Sequence, residues 1–415
     1  MKRLYIWLLI GFGLYAIAIS LYLLQGDLYS IPNALSGTVA DPHTFMTIQE
    51  IEQSESLSRI RSLAFFITSP LQMGLLLVLL GIAVKFRKAA EAWFRRPFLQ
   101  MIVFVLIFTL LLDVLFLPID YFLLRVDRAY GISNETMAMF WDDHAKDFLL
   151  NSVGTIVMVW IFRWILGRSP ERWWLWFWMA SIPLILFVTF IQPVVLDPLY
   201  NDFQPLKNQE LKVQILNLAA KSHIPADQVY EVNMSERTNA INAYVNGIGG
   251  NARIVLWDTF LNKLQPEEIL TVMAHEMGHY VEKHIYFGIA YGIALSLLGF
   301  WLAFHAYRFF LARWGSLWGI TGERDLAALP VLLLIVTLMN FASAPAQNAF
   351  SRVIEHRADV YSMKMTRDGT SAIHAFQKIA KENLSPVTQP KLVQWFRGSH
   401  PTILERIEYF KQFAR

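Results

Sequence analysis

Residues 271–280, TVMAHEMGHY, set His275, Glu276 and His279 in the spacing His-Glu-x-x-His. Residues four apart share one face of a helix, so imidazoles at 275 and 279 can converge on one cation. Glu276 lies beside them, where a carboxylate can take a proton from water activated there. Two histidines leave a zinc ion short of a third protein ligand. The chain has no cysteine, so that ligand must be His, Asp or Glu. SRVIEHRADV (351–360) offers Glu355 and Asp359, again spaced i, i+4 on an expected helix. One can ligate the ion; the other can bond the second ring nitrogen of a ligating histidine and fix its tautomer. Spacing alone leaves open which does which, and it also fits an ordinary solvated helix face. His284 and His356 are rival donors. On regular helices, His284 turns away from His279 and His356 from Glu355.

The chain that must position these groups is 415 residues long, 55% hydrophobic and only 17% charged. Its mean hydropathy is +0.38. A soluble globular chain carries about 25% charge, so these values point to a polytopic membrane protein. Seven apolar runs are long enough to cross about 30 Å of hydrocarbon as helices. They cover 5–23, 65–84, 98–119, 149–166, 173–192, 285–307 and 326–344. Lys2 and Arg3 precede the first, which is too long for a signal-peptide core and lacks an Ala-x-Ala site, so it reads as a retained span. Arg163 clips the fourth run beside Trp160 and Trp164, which suit an interface.

Lys and Arg gather in 85–96, 163–172 and 308–325, whereas 24–64 and 120–148 carry few. The positive-inside rule therefore puts the N-terminus and the three basic loops in the cytoplasm. Seven spans then leave 193–284 and 345–415 on the other side. The net charge of +3 and the lack of a compact basic stripe argue against a nucleic-acid partner. Asp113 falls within the third span, where a charge needs a partner or water. Asp142, Asp143 and Asp147 follow on a polar segment, read either as a solvated helix start or as the lining of a wet interior.

The expected organisation is spans one to five with their loops in 1–192, a polar α+β segment in 193–284, spans six and seven in 285–344 and a helical segment in 345–415. Within 193–284 the pattern predicts a helix over 206–221 and strands at 229–234, 241–247 and 252–257, with GIGG between the last two. Pro266, Glu267 and Glu268 then open the helix that carries His275, running to about Lys283. Helices near 350–366, 371–384 and 401–413 complete the chain.

HEMGHYVEKH and NAFSRVIEHRADVYSMK (348–364) together resemble the two metal-site motifs of the Ste24-type CAAX prenyl proteases, zinc enzymes of the M48 group. Tyr280 stands where that family often has tryptophan. The resemblance spans nearly the whole chain. It implies seven membrane helices enclosing a hydrated chamber, capped by a small gluzincin-like α+β protease domain with one Zn²⁺ per chain. It implies that Glu355 is the third ligand and that Asp359 supports His275 from behind. ERTNAINAYVNGIGGNARIVLWDTFL (236–261) is similar to the family's strand-rich stretch before the zinc helix, and its Asn242, Ala243 and Tyr244 to the edge strand that holds peptide substrate. GSHPTILERI (398–407) is similar to a C-terminal segment whose counterparts of His400 and Arg406 face the scissile bond or substrate backbone. Eukaryotic members act on prenylated proteins at the cytoplasmic face, whereas the charge pattern here puts the site on the opposite side.

The expected activity is zinc-dependent endopeptidase hydrolysis of extended peptides or membrane proteins, lipidated or not, in contact with the bilayer. His275, His279 and Glu355 would hold the metal, Glu276 would act as base and then acid, and His400 and Arg406 would support the oxyanion. The competing readings are a transporter or channel with a structural metal site, and a protease that cleaves within membrane helices. The former does not account for five chemically matched residues. The latter usually carries its metal motif inside a span.

Overall fold

The computed structural model describes residues 2–191, 195–246 and 253–414. In chain order, α1 (Lys2–Leu23), α2 (Ile48–Trp93), α3 (Pro97–Ala129), α4 (Met137–Arg168) and α5 (Trp173–Phe190) come first. Next are β1 (Phe203–Pro205), α6 (Gln209–Lys221), β2 (Val229–Val232), β3 (Ala243–Asn246) and β4 (Arg253–Trp257). Then come α7 (Asp258–Lys263), α8 (Pro266–Val281), α9 (His284–Trp314) and α10 (Leu329–Thr366). Finally, α11 (Gly369–Glu382), α12 (Lys391–Arg397) and α13 (Ile403–Phe410) reach the C-terminal end.

Apolar runs in hydrocarbon must satisfy their own backbone groups, which a helix does. Seven helices, α1 to α5, α9 and α10, are long and apolar enough to cross a membrane. Each carries one expected span, the fourth included, though 326–328 form a separate turn before α10 and 191 follows the end of α5; Gln192, the last residue of the fifth, lies outside the described residues. Six of them form a closed ring: α2, α3, α4, α5, α9 and α10 each pack on the next, and α10 returns to α2. The seventh, α1, is appended to α2. Between 11% and 33% of each apolar window is buried, so most of this surface is left for contact with lipid or with the space inside the ring.

One end of the ring is filled. Phe104, Phe162, Trp173, Phe304, Tyr307 and Val331 belong to a single buried core to which all six ring helices contribute. The basic loops lie at this end. Asp325, almost wholly buried, pairs with Arg87 of α2 and accepts from the Ala327 N–H at 2.9 Å and the Thr321 N–H at 2.9 Å, which folds the α9–α10 connection back under the ring.

The opposite end carries the sheet, ordered β1-β2-β4-β3. β1 and β3 run antiparallel to their neighbours, whereas β2 and β4 are parallel. Its apolar face packs on α6 and α8 around Ile215, Ile254, Leu256 and Met273. The three expected strands are present; the GIGG turn lies outside the described residues. The fourth, β1, is three residues long and ends in proline, too short to leave a period in the sequence. A second difference concerns α10. The seventh span and the helix expected near 350–366 are one 38-residue helix that continues through Pro345. Proline removes one ladder bond, which packing against α2, α8 and α9 outweighs here.

Asp143 and Asp147 tie the segments flanking the sheet to the ring. Asp143 pairs with Arg237, whose Nη2 donates to the Tyr200 carbonyl at 2.7 Å, and the Tyr200 hydroxyl donates to Asp147 at 2.7 Å. Asp142 holds Lys146 at 2.6 Å. The α3–α4 turn adds backbone bonds from Asn239 N–H to Ile132 and from Asn134 N–H to Arg237, both at 2.9 Å. The segment entering β3 is thus fastened to two membrane helices. Asp113 meets His144 of α4 at 3.1 Å.

Candidate metal centre

The helix that presents the histidines is started by its own sequence. Pro266 occupies the first turn, and Glu268 Oε2 accepts the Gln265 N–H at 2.7 Å while holding Lys378 of α11 at 2.7 Å. Two small residues then let α8 and α10 approach closely. A Cβ on Gly278 would lie 3.1 Å from the Tyr361 side chain and 3.3 Å from the Ala358 backbone. The Ser362 hydroxyl donates to the Thr271 carbonyl at 2.8 Å and fixes the register between the two helices.

That register brings the three expected ligands together. Donor atoms of His275, His279 and Glu355 all lie within 4.8 Å of one another, the only such group among the described residues. His275 Nε2 is 3.3 Å from Glu355 Oε2, and His279 Nε2 is 3.5 Å from Glu355 Oε1. The two Nε2 atoms are 3.2 Å apart. Two nitrogens each about 2.0–2.1 Å from one tetrahedral zinc would lie roughly 3.3–3.4 Å apart, so this spacing fits a shared ion. Glu355 Oε2 is buried without a hydrogen-bond partner among the described residues. Two nitrogens and one carboxylate, with a position left for water or substrate, suit a catalytic zinc ion.

Behind the ligands, Asp359 Oδ1 accepts from His275 Nδ1 at 2.8 Å, which leaves Nε2 as a lone-pair donor. The same oxygen accepts from Arg406 Nη2 at 2.5 Å. The 3.2 Å contact between Nη2 and Nδ1 follows from their sharing one acceptor. Arg406 is buried, and its guanidinium lies 3.8 Å above the Phe376 ring. Burial and Arg406 push the His275 pKa down, but the bonds to Asp359 and Glu355 outweigh them and hold it up to about 9. Burial takes His279 down to about 3.

His284 is the residue that spacing misjudged. Lys283 has φ of 57°, in the left-handed region, and separates α8 from α9. This break swings the His284 ring back until its Nδ1 is 3.1 Å from His279 Nδ1. It therefore steadies a ligand as Asp359 does, on the other histidine. A positively charged residue at a helix end gave no sign of that turn. His356, as expected, faces away and packs on Tyr409.

A cavity of about 440 Å³ lies over the group, with Glu276, His275, His400 and Arg406 in its walls. Burial raises the Glu276 carboxyl to about 7; a bound cation would oppose that rise. His400 projects into the cavity, with Nε2 at 3.5 Å from Glu355 Oε1 and Nδ1 at 2.9 Å from the Ser399 hydroxyl. Desolvation lowers its pKa. Asn242 and Ala243 line the opposite wall, and Tyr244 follows on β3. β3 is an edge strand. Trp257 N–H donates to the Asn242 carbonyl at 3.2 Å, so Asn242 and Tyr244 face β4 while Ala243 and Val245 turn their backbone groups to the open side. Asn242 Oδ1 accepts the Ala243 N–H at 2.9 Å.

The profile of peptidase family M48 matches residues 205–414, and that described as CAAX prenyl protease N-terminal, five membrane helices, matches 29–202. The uncharacterized metalloprotease YhfN of Bacillus subtilis is 46% identical over 94% of this chain and 91% of its own. CAAX prenyl protease 1 of Saccharomyces cerevisiae is 29% identical over 70% and 67%. The crystal structure of S. mikatae Ste24p shares the fold with a TM-score of 0.82 at 22% identity, covering 98% of this chain and 97% of that one.

Proposed function

The chain belongs to peptidase family M48 and is a zinc-dependent integral-membrane endopeptidase, and from that premise we propose which residues carry the reaction and where it takes place. The convergence of His275, His279 and Glu355 beside Glu276, at the floor of a cleft bordered by a free strand edge, is the observation that carries this reading. We assign 193–284 and 345–415 to the protease unit, and 1–192 with 285–344 to the membrane unit.

His275, His279 and Glu355 hold zinc, and Asp359 and His284 orient the two imidazoles. Zinc, when bound, supplies a Lewis acid that polarises a carbonyl and makes water acidic near neutrality. An extended peptide adds to β3 through the outward N–H and C=O groups of Ala243 and Val245. Asn242 turns its amide from the Ala243 N–H to the incoming backbone, and Tyr244 packs beneath. Glu276 takes a proton from the attacking water and delivers it to the leaving amine. His400, with Nδ1 held by Ser399, donates from Nε2 to the oxygen that becomes negative. Arg406 adds positive potential from behind Asp359. His400→Ala should lower kcat roughly 10²–10³-fold with little change in KM and in zinc content. A rise in KM alone would remove His400 from the chemistry.

The substrates we propose are extended segments of membrane-associated proteins, lipid-modified ones included, as the name of the yeast relative suggests. The site faces away from the cytoplasm in a prokaryotic cell membrane, because the basic loops close the other end of the ring. With no native cysteine, two single-cysteine variants test this. Leu317 is 68% exposed at the basic end and the Lys207 side chain is 74% exposed beside β1. In intact cells a membrane-impermeant thiol reagent should label Lys207→Cys and reach Leu317→Cys only after lysis. The reverse pattern would invert the topology.

A further inference from the structure

The end of the ring opposite the sheet carries a surplus of positive charge that the chain does not balance. Segments 85–96, 163–172 and 308–325 hold eleven Lys and Arg against four acids, Glu91, Glu171, Glu323 and Asp325. Two arginines take all four. Arg87 pairs with Asp325 and lies 3.6 Å from Glu91. Arg308 lies 2.7 Å from Glu171 and 3.1 Å from Glu323. The other basic residues of these segments have no carboxylate partner among the described residues. Two of them meet. Arg163 of α4, half-buried, donates from Nη1 to the Arg324 carbonyl in the α9–α10 connection. One turn further along α4, the Arg324 guanidinium lies against Gly167, where a Cβ would collide with it. Residues four apart share a helix face, so both guanidiniums lie on one side of α4. Like charges held close repel, and an anion between them removes that cost.

The surroundings say which anion that is. Trp160 and Trp164 occupy the neighbouring stripe of α4 and are 51% and 52% exposed. Phe162, Trp173 and Tyr307 fill the ring at this level, so the two indoles face outward, toward lipid. Val153 and Val157 continue the same stripe toward the middle of the span and are exposed as well. Arg168 Cζ lies 4.5 Å from the centre of the Trp164 ring, which sets the indole at the level of the charges. Guanidiniums, then indoles, then aliphatic side chains follow the order of headgroup, interface and acyl chain in a leaflet. We propose that Arg163 and Arg324 bind the phosphate of an anionic phospholipid whose acyl chains lie along Trp160, Trp164, Val157 and Val153. A zwitterionic lipid brings a cation of its own, which would need a carboxylate, and all four acids of this end are engaged. A headgroup with net negative charge is therefore preferred. Bound there, it clamps α4 to the connection that folds back under the ring.

Native mass spectrometry of the delipidated full chain in detergent reads the preference, with phosphatidylglycerol and phosphatidylcholine of the same acyl chains as probes. Phosphatidylglycerol should bind roughly 5- to 30-fold more tightly, the range that one to two basic residues supply at a membrane surface. Arg324→Gln should lower that ratio about 5-fold. The bond from Arg163 goes to the Arg324 carbonyl, so this substitution leaves the backbone contact in place. Arg163→Lys keeps the charge without the planar fork and should give an intermediate ratio. Arg95→Gln removes the same charge from an exposed position of the α2–α3 connection and should change nothing. Thermal unfolding in the same detergent supplies a second readout. Phosphatidylglycerol should raise the midpoint of the wild-type chain and of Arg95→Gln, and have little effect on Arg324→Gln. Equal binding of the two lipids by the wild-type chain would overturn the assignment. So would an equal loss in Arg95→Gln and Arg324→Gln, which would mark a diffuse field rather than a site. Inorganic phosphate or glycerol phosphate that raised the midpoint as much as the lipid does would show a site for a free anion, and would overturn the lipid as occupant.

Discussion

Glu276→Gln should keep its zinc and lose peptide cleavage by roughly 10²–10⁴-fold. The amide has nearly the shape of the carboxylate, so the cavity and the ligand group beneath it stay as they are. What it lacks is a site that can accept a proton from water and return it to an amine. Glu276 is not one of the three residues whose donor atoms converge, so its replacement removes none of them. Measuring metal content and turnover on the same purified sample decides the matter. A variant that binds zinc and still cleaves would mean that the base is elsewhere. A variant that loses the metal would mean that Glu276 helps to hold it.

Asp359→Ala should produce the second large effect, and it should act on two quantities at once. Asp359 is 1% exposed and accepts from both His275 and Arg406. Without it, the His275 tautomer is no longer fixed, which lowers metal affinity about 10- to 100-fold. Arg406 is left as an unpaired charge in a buried place, which destabilises the fold by about 3–5 kcal/mol. A second substitution separates these consequences. Adding Arg406→Met, a side chain that can still cover Phe376, should return most of the stability and none of the metal affinity. Competition with a zinc chelator reads one quantity, and thermal unfolding in detergent under metal-free conditions reads the other. Equal recovery of both in the double variant would show that Asp359 acts on the metal only through the fold.

The parts of the architecture that depend on period or on composition were legible in the residues. Seven spans follow from apolar length, and the β3 and β4 strands from alternation on either side of glycines. The His275/His279 face follows from helical spacing. The sequence placed Glu355 and Asp359 on one helix; their division of labour required the α8–α10 register set by Gly278, Ala358 and Ser362, which no single-chain pattern encodes. His284 was misplaced because the rule of helical spacing assumes a regular backbone, and Lys283 interrupts it. The aspartates beyond α3 were equally silent, since an anchor and a wet wall use the same residues.

The unbroken course of α10 has a mechanical consequence. Its 38 residues extend over about 57 Å, so one rod begins at the basic loops, crosses the bilayer and delivers Glu355 to the two imidazoles of α8. A span that leans to suit a thinner lipid layer carries its far end with it. The carboxylate and the histidines belong to different helices, so a lean of the rod relative to α8 opens or closes the coordination gap directly. The close contact at Gly278 and the Ser362–Thr271 bond oppose such a lean, and Pro345 lies between that contact and the basic end of the rod.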